Sequence, residues 1–147
     1  MRSLGIDFGE KRIGLAISDP AGRFALPLTT LERRNDRSAL RQIAEIASRE
    51  GVERLVMGEP VDLAGRRGPI AERVQRFAAR LREMTGLPLA LVDEALTSVE
   101  AARRLRQAGG DPRREPERID ALAAQILLQD ALDRQDAGRR GGTGQDE

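Results

Sequence analysis

Residues 4–19 read LGIDFGEKRIGLAISD, and this stretch decides how the fold begins. Apolar residues alternate with small or polar ones over residues 4–9 and again over residues 12–19, a pattern that predicts two β-strands. The Gly-Glu-Lys segment between them is short enough for a tight turn. We therefore expect the chain to start with an antiparallel hairpin.

The chain beyond this hairpin changes to alternating strands and helices. A third apolar stretch, residues 24–31, contains Pro27, which favours a weak or edge strand. Asn35 or Asp36 can cap a helix that stops at Gly51. Further patterns predict a strand at 54–58, a helix opened by Pro69, a strand at 87–92, a helix with a Thr97/Glu100 capping box that ends at Gly109-Gly110, and a last helix from Pro116 to about Arg134. This order predicts an α/β fold, with a mixed sheet covered by helices.

Length and composition fit one folded domain with a tail. The 147 residues are 39% hydrophobic, enough for a core in a domain of this size. Residues 136–147, DAGRRGGTGQDE, contain a single apolar side chain, so we expect a domain over 1–135 and a disordered polar tail over 136–147. The chain has neither a signal-peptide pattern nor an apolar run near the roughly 18 residues of a membrane span, so we expect a cytoplasmic protein without a membrane partner.

The absence of histidine and cysteine excludes much chemistry. A Ser-His-Asp triad, a thiolate nucleophile, a Cys or His zinc site and a disulfide framework are all impossible. An enzyme of this composition would most simply activate water with a hard metal ion, such as Mg²⁺ or Mn²⁺, held by Asp and Glu. Aromatic residues are only 2%, which disfavours a reader of single strands that stacks bases on aromatic rings.

Three acidic positions interrupt apolar patterns. Asp7 lies inside the first strand, Asp93-Glu94 follow an apolar strand, and Asp120 falls within the apolar arc of the last helix. Each one alone has a structural explanation, as an acceptor of backbone donors, a helix cap or a partner of the helix dipole. Together, three inward acids would repel one another unless a cation lies between them.

The segment from Asp7 to Gly14 also fits the pattern D-x-G-x-x-x-x-G, typical of phosphate-binding hairpins in actin-like and sugar-kinase ATPases. Such ATPases place a nucleotide between two similar halves, and 147 residues supply only one. A small ATP-binding module is therefore the weaker interpretation.

Four blocks of this sequence together resemble the YqgF/RuvX-like family of the RNase H-like superfamily. They are LGIDFGEKRIGLAISDP, VMGEPVDLAGRRGP, LVDEALTSVEAARRL and IDALAAQILLQDALD, in the family's order and spacing, within residues 3–134. The third block departs from the family pattern DERLTT at Ala95 and Ser98, and the second has Ala64-Gly65 where Asp-Gly is usual. These departures touch none of the acids, and the nearby Arg66, Arg67 or Arg103 could replace a substrate contact of the missing Arg.

The resemblance implies an RNase H-like mixed sheet and a Mg²⁺- or Mn²⁺-dependent nuclease. The family's acidic site maps onto Asp7, Glu94 and Asp120, which would serve as catalytic residues and metal ligands. Asp93 and Glu59 are further candidates to complete the metal shell. The family's proteins are described both as pre-16S rRNA nucleases and as Holliday junction resolvases.

Basic residues near these acids are candidates to bind nucleic acid. All but one of the 25 basic residues are Arg, whose planar fork suits phosphate. Residues 64–82 carry a net charge of +5 and residues 101–118 a net charge of +3, although helical Arg residues such as Arg73 can simply face solvent. The predicted nucleic-acid-binding residues are Lys11, Arg12, Arg66, Arg67, Arg113, Arg114 and Arg118.

Three functions follow in order of preference. The first is an endonuclease that processes the 5′ end of pre-16S rRNA, with structured RNA as its partner. The second is a Holliday junction resolvase acting on branched DNA, which needs two symmetrical cuts and hence a homodimer, whereas a monomer suffices for RNA. The third, from another class, is a nucleic-acid-binding or transcription-associated factor that does not cleave.

Overall fold

A computed structural model describes residues 1–60, 68–94 and 97–145 of the chain, and their side chains except those of 97–98 and 136–145. The described strands are β1 (Ser3–Phe8), β2 (Arg12–Ser18), β3 (Ala25–Glu32), β4 (Arg54–Pro60) and β5 (Leu89–Glu94). The described helices are α1 (Asp36–Arg49), α2 (Pro69–Thr85), α3 (Thr97–Gln107) and α4 (Pro116–Gln145). In this part of the chain no helix is both long and apolar enough to cross a membrane.

The five strands form one mixed sheet in the order β3-β2-β1-β4-β5. The predicted hairpin is present, because β1 and β2 pair antiparallel with Leu4 opposite Ile17. Strand β3 continues the antiparallel half as an edge strand, and the β2–β3 register shifts between Leu15 and Ala16, next to the pairing of Ala16 with Pro27. Strands β4 and β5 add the parallel half. The mixed α/β sheet predicted from the sequence is therefore confirmed.

Strand alternation divides the core into two layers, because successive side chains of a strand point to opposite faces of a sheet. On one face, Leu4, Ile6 and Phe8 of β1 pack with buried residues of α1 and α2. On the other face, Ala16 of β2 and Val56 of β4 pack against the apolar side of α4. We call these the α1/α2 face and the α4 face.

Helix ends follow the sequence signals closely in α1 and less closely in α4. Asn35 caps α1, because its side chain accepts a hydrogen bond from the Ser38 backbone N–H at 2.8 Å. Helix α4 begins at Pro116, as predicted, but runs to Gln145 rather than ending near Arg134. The proposed capping box of α3 involves the Thr97 side chain, which lies outside the described side chains.

Candidate active site

The candidate site lies on the α4 face, at the carboxyl ends of the central strands. Asp7 is the fifth residue of β1, and Gly14 of β2 is its partner in the hairpin register. On the other side of β1, Gly58 of β4 follows Met57, the register partner of Ile6. Asp7 therefore lies between two glycine-containing positions on neighbouring strands.

These two glycines leave the space in which the other acids approach Asp7. A Cβ atom on Gly14 would overlap the backbone carbonyl of Asp120, so α4 crosses β2 in direct contact at that point. A Cβ atom on Gly58 would overlap the carboxylate of Glu94, which reaches across from β5. Glycine inside a strand commonly marks such a close approach. From the sequence, Gly14 was considered only as part of a phosphate-binding hairpin pattern and Gly58 was given no role, although a glycine within an apolar strand pattern was the available signal for a close approach.

The carboxyl group of Asp7 is strongly perturbed by this environment. Burial, the negative charge of Glu94, a hydrogen bond with the Glu94 side chain and the charge of Asp120 together raise the pKa of Asp7 from 3.8 to about 9, and burial is the largest of these causes. The protonated form of the Asp7 carboxyl group is thus favoured at neutral pH, in a hydrogen bond with Glu94. The structure brings together the three acids that the sequence singled out.

Asp120 has a cation as its partner. Arg12, the first residue of β2, donates a hydrogen bond from Nε to Oδ2 of Asp120 at 2.6 Å. This charge-assisted bond joins one predicted nucleic-acid-binding residue to one predicted metal ligand. Sequence reasoning placed both residues at the site but gave no indication that they contact each other.

The three acids do not form a preformed ligand set. Among the residues that the structure describes, no group of three or more Asp or Glu side chains is arranged to hold a metal ion. Instead, Asp7 and Glu94 are joined by a side-chain hydrogen bond, and Arg12 donates a hydrogen bond to Asp120. The donor chemistry nevertheless suits a hard divalent cation, because carboxylate oxygens are its preferred protein ligands.

The two further acids considered for the metal shell lie on the other face of the sheet. Glu59 is buried and its Oε1 accepts a hydrogen bond from Nε2 of Gln75 at 2.9 Å, and Gln75 belongs to α2. Asp93 is the register partner of Glu59 in the parallel β4–β5 pair, so strand alternation places it on the same α1/α2 face. Strand alternation thus separates both side chains from the face that carries Asp7 and Glu94.

The remaining basic candidates have varied positions. Lys11 is exposed in the β1–β2 turn. Arg114 and Arg118 form ion pairs within their own segment, with Asp111 at 3.7 Å and Glu115 at 2.8 Å. Arg113 is exposed in the same connection, and its backbone N–H donates to Asp111 Oδ1 at 3.0 Å. Three more residues of the sequence argument, Arg66, Arg67 and Ala95, lie outside the described residues.

Comparison with known proteins bears on this fold and site. Residues 1–134 match the family model described as "RuvX: Holliday junction resolvase". A relative from Chloroflexus aggregans is 45% identical over 130 residues, covering 88% of this chain and 92% of the relative. One from Moorella thermoacetica is 46% identical over 134 residues, covering 91% and 96%. Both carry the name "Putative pre-16S rRNA nuclease".

Solved structures resemble this chain in fold. Thermus thermophilus RuvC in complex with a Holliday junction substrate matches with a TM-score of 0.58 and 18% identity, covering 92% of this chain and 96% of that one. Fowlpox virus resolvase with its substrate Holliday junction DNA matches with a TM-score of 0.57 and 10% identity, covering 92% and 99%. The RNase H-like sheet expected from the family resemblance is thereby confirmed. With a family match over almost its whole length, this chain belongs to the RuvX family.

Proposed function

We propose that this protein is a metal-dependent endonuclease that hydrolyses phosphodiester bonds in the precursor of 16S rRNA, at its 5′ end. The observation that carries the proposal is the convergence of Asp7, Glu94 and Asp120 at one point of the α4 face, with the pKa of Asp7 raised to about 9 by burial and by the two other acids. A divalent cation would compensate this repulsion and let Asp7 ionise at neutral pH.

The chain's own residues have distinct roles in this proposal. Asp7, Glu94 and Asp120 would hold one or two Mg²⁺ or Mn²⁺ ions. When bound, such ions activate the attacking water and stabilise the charge on the leaving oxygen. Few aromatic residues and many Arg residues favour binding of the phosphate backbone over base stacking. The candidate contacts are Lys11, Arg12, Arg113, Arg114 and Arg118. Arg66 and Arg67 remain candidates from the sequence.

Two other candidate functions differ from this one, the first in its substrate and the second in the absence of cleavage. The family description and the two junction-bound neighbours favour a Holliday junction resolvase as the second candidate. A factor that binds nucleic acid without cutting is a third possibility, which the retention of all three acids makes less attractive. The names of the sequence relatives favour RNA as the substrate.

Cleavage assays on three substrates test the proposal. Labelled pre-16S rRNA, a linear DNA duplex and a four-way DNA junction are incubated with the protein in EDTA, Mg²⁺ or Mn²⁺. We expect cleavage of the RNA near the 5′ end of the mature sequence, only with metal. Asp7→Asn, Glu94→Gln and Asp120→Asn should each lower the rate by at least about 100-fold, because each removes a ligand of the reacting centre.

The matched control is Asp130→Asn. Asp130 lies on the same helix as Asp120, but its side chain is 56% exposed and pairs with Arg134 at 3.0 Å, so its loss should leave the rate within about twofold. Full activity of any of the three site variants would remove that residue from the site. Binding without cleavage under every metal condition would support the non-cleaving alternative instead.

A further inference from the structure

The contact between Arg12 and Asp120 constrains how this site can take up a metal ion. Arg12 Nε lies 2.6 Å from Asp120 Oδ2, and the two side chains are 37% and 22% exposed. The bond therefore lies at the rim of the site, partly shielded from water. A short bond between a guanidinium and a carboxylate orients both groups.

The position of Arg12 makes its guanidinium a competitor of any divalent ion for the Asp120 carboxylate. Of the three acids, Asp7 and Glu94 already contact each other, whereas Asp120 is turned to a positive charge supplied by the chain itself. In the described part of the chain the acids do not form a metal-holding group. For Asp120 to join the other two as a ligand through Oδ2, its carboxylate would have to exchange the guanidinium for the metal ion.

We propose that Arg12 is a positioning residue that holds Asp120 before metal binds, is displaced from it by the divalent ion, and then offers its guanidinium to the substrate phosphate. This inference rests on the proposed function. Displacement leaves the guanidinium at the rim of the site, and its exposure lets it turn towards solvent, where the backbone of a nucleic acid would pass. Arg is well suited to this second role because its fork binds phosphate with two parallel hydrogen bonds.

The inference predicts that metal and nucleic acid bind cooperatively. A divalent ion bound at Asp120 would leave the Arg12 guanidinium available to the phosphate, and a phosphate bound to the guanidinium would leave Asp120 available to the ion. By thermodynamic linkage the two effects are equal in size. Direct attraction between the ion and the phosphate would add to this coupling, so the share due to Arg12 is the part that Arg12→Ala should lose.

Metal affinity is the first test. Mn²⁺ and Mg²⁺ are titrated calorimetrically into the wild-type protein, Arg12→Ala and the control Arg41→Ala. Arg41 is exposed on α1, which packs on the opposite face of the sheet, so the control removes the same charge without breaking the contact with Asp120. We expect Arg12→Ala to bind Mn²⁺ at least about fivefold more tightly than wild type, and Arg41→Ala to stay within about twofold because salt screens exposed charges. Equal or weaker binding by Arg12→Ala would overturn the inference.

A spectroscopic test follows the contact itself. The Nε–H proton of Arg12, held in a short bond to a carboxylate, should give a slowly exchanging signal that Arg12→Lys lacks. Saturating Mg²⁺ should move this signal towards that of a solvated arginine and speed its exchange with water. A signal that stays unchanged while other resonances report Mg²⁺ binding would contradict displacement.

Nucleic-acid binding tests the second role of Arg12. The affinity of a labelled RNA hairpin is measured for wild type and Arg12→Ala in EDTA and in Ca²⁺. Because Asp120 engages the guanidinium only without metal, Arg12→Ala should lose at least about threefold in affinity in Ca²⁺ and less than about 1.5-fold in EDTA. An equal loss under both conditions would mean that Arg12 contacts RNA independently of the ion, which overturns the switch.

The metal titration also separates the two proposals. If neither wild type nor Arg12→Ala binds Mn²⁺, both the metal-dependent function and the role of Arg12 fail. If wild type binds Mn²⁺ and Arg12→Ala binds no more tightly, only the role of Arg12 fails. If Arg12→Ala alone binds Mn²⁺, the competition is demonstrated directly.

Discussion

Among the residues that the structure describes, Asp7 has a carboxyl group whose pKa is raised far above its usual range. In the folded protein its pKa is raised to about 9, first by burial and then by Glu94 and Asp120, whereas the unfolded chain releases this proton near pH 3.8. Between these two values the folded state holds the extra proton. Without metal, stability should therefore fall as pH rises across this window, by up to about 1.4 kcal/mol per pH unit.

Asp7→Asn removes this titratable group and should therefore change how the free energy of unfolding depends on pH. In EDTA we expect the variant to be more stable than wild type at pH 8, with the difference shrinking towards pH 5. Urea unfolding at several pH values measures it, with Asp130→Asn as the control that should follow wild type. Parallel profiles for Asp7→Asn and wild type would contradict the raised pKa. Excess Mg²⁺ should stabilise wild type more than Asp7→Asn, since only wild type keeps the full ligand set.

For individual residues, the sequence was sufficient to select candidate acids but not to show which residues contact them. Asp7, Asp120 and the pair Asp93-Glu94 could be selected because a carboxylate in an apolar pattern is costly unless it has a partner or a purpose. The family resemblance then pointed to Glu94 within that pair. The contact between Arg12 and Asp120 joins residues 108 positions apart, and no local pattern encodes such a distance. Glu59 and Asp93 could be excluded only once the faces of β4 and β5 were known.

Among the secondary-structure elements, α4 and β2 determine the geometry of the site by how closely they cross. The backbone of α4 at Asp120 lies against Gly14, where a methyl group would overlap the Asp120 carbonyl. Gly14→Ala must push α4 away from the sheet or bend β2. We expect a loss of about 1–3 kcal/mol of stability, typical of overpacking, and a loss of metal affinity because Asp120 moves with its helix.

Gly68→Ala is the matched control for this element-level prediction. Gly68 precedes α2, has a negative φ of −112°, and nothing lies within 4 Å of a Cβ built there. Its substitution should cost less than about 1 kcal/mol and leave metal affinity unchanged. Chemical unfolding and Mn²⁺ titration of both variants provide the measurement. If Gly14→Ala and Gly68→Ala have the same free energy of unfolding and the same Mn²⁺ affinity, the crossing of α4 and β2 tolerates a methyl group and the prediction is wrong.

Elements were predictable where a local signal existed. Alternation of apolar residues predicts the β1–β2 hairpin, the side-chain acceptor of Asn35 predicts the start of α1, and Pro27 predicts the edge position of β3. Each of these signals acts over a few residues. Several strand boundaries differ by one or two residues from those predicted; for example, β5 extends to Glu94 because pairing of Pro60 with Glu94 continues the ladder beyond the apolar run. The largest difference is in α4, which extends to Gln145. That residues 136–147 are disordered in solution stays a prediction from their polar composition.

For the molecule as a whole, the open question is whether one copy performs one cut or two copies perform paired cuts. Resolving a four-way junction requires two symmetrical incisions, and a two-fold dimer presents two sites in that relation. Trimming one end of an RNA precursor requires a single site. The three acids and Arg12 lie together within one chain, so a single copy carries all four of these residues.

We therefore expect a monomer that cuts precursor RNA. A truncated protein that lacks residues 138–147 should cut the RNA at the wild-type rate, because that segment adds almost no apolar surface to bury. Light scattering at the assay concentration gives the mass of both proteins, and end-labelled RNA and junction substrates give the cut positions. Asp7→Asn, inactive on either substrate, controls for contaminating nucleases. If the protein is instead an obligate dimer that cuts opposite junction strands at related positions and ignores the RNA, the site is that of a resolvase, since only paired sites produce paired cuts.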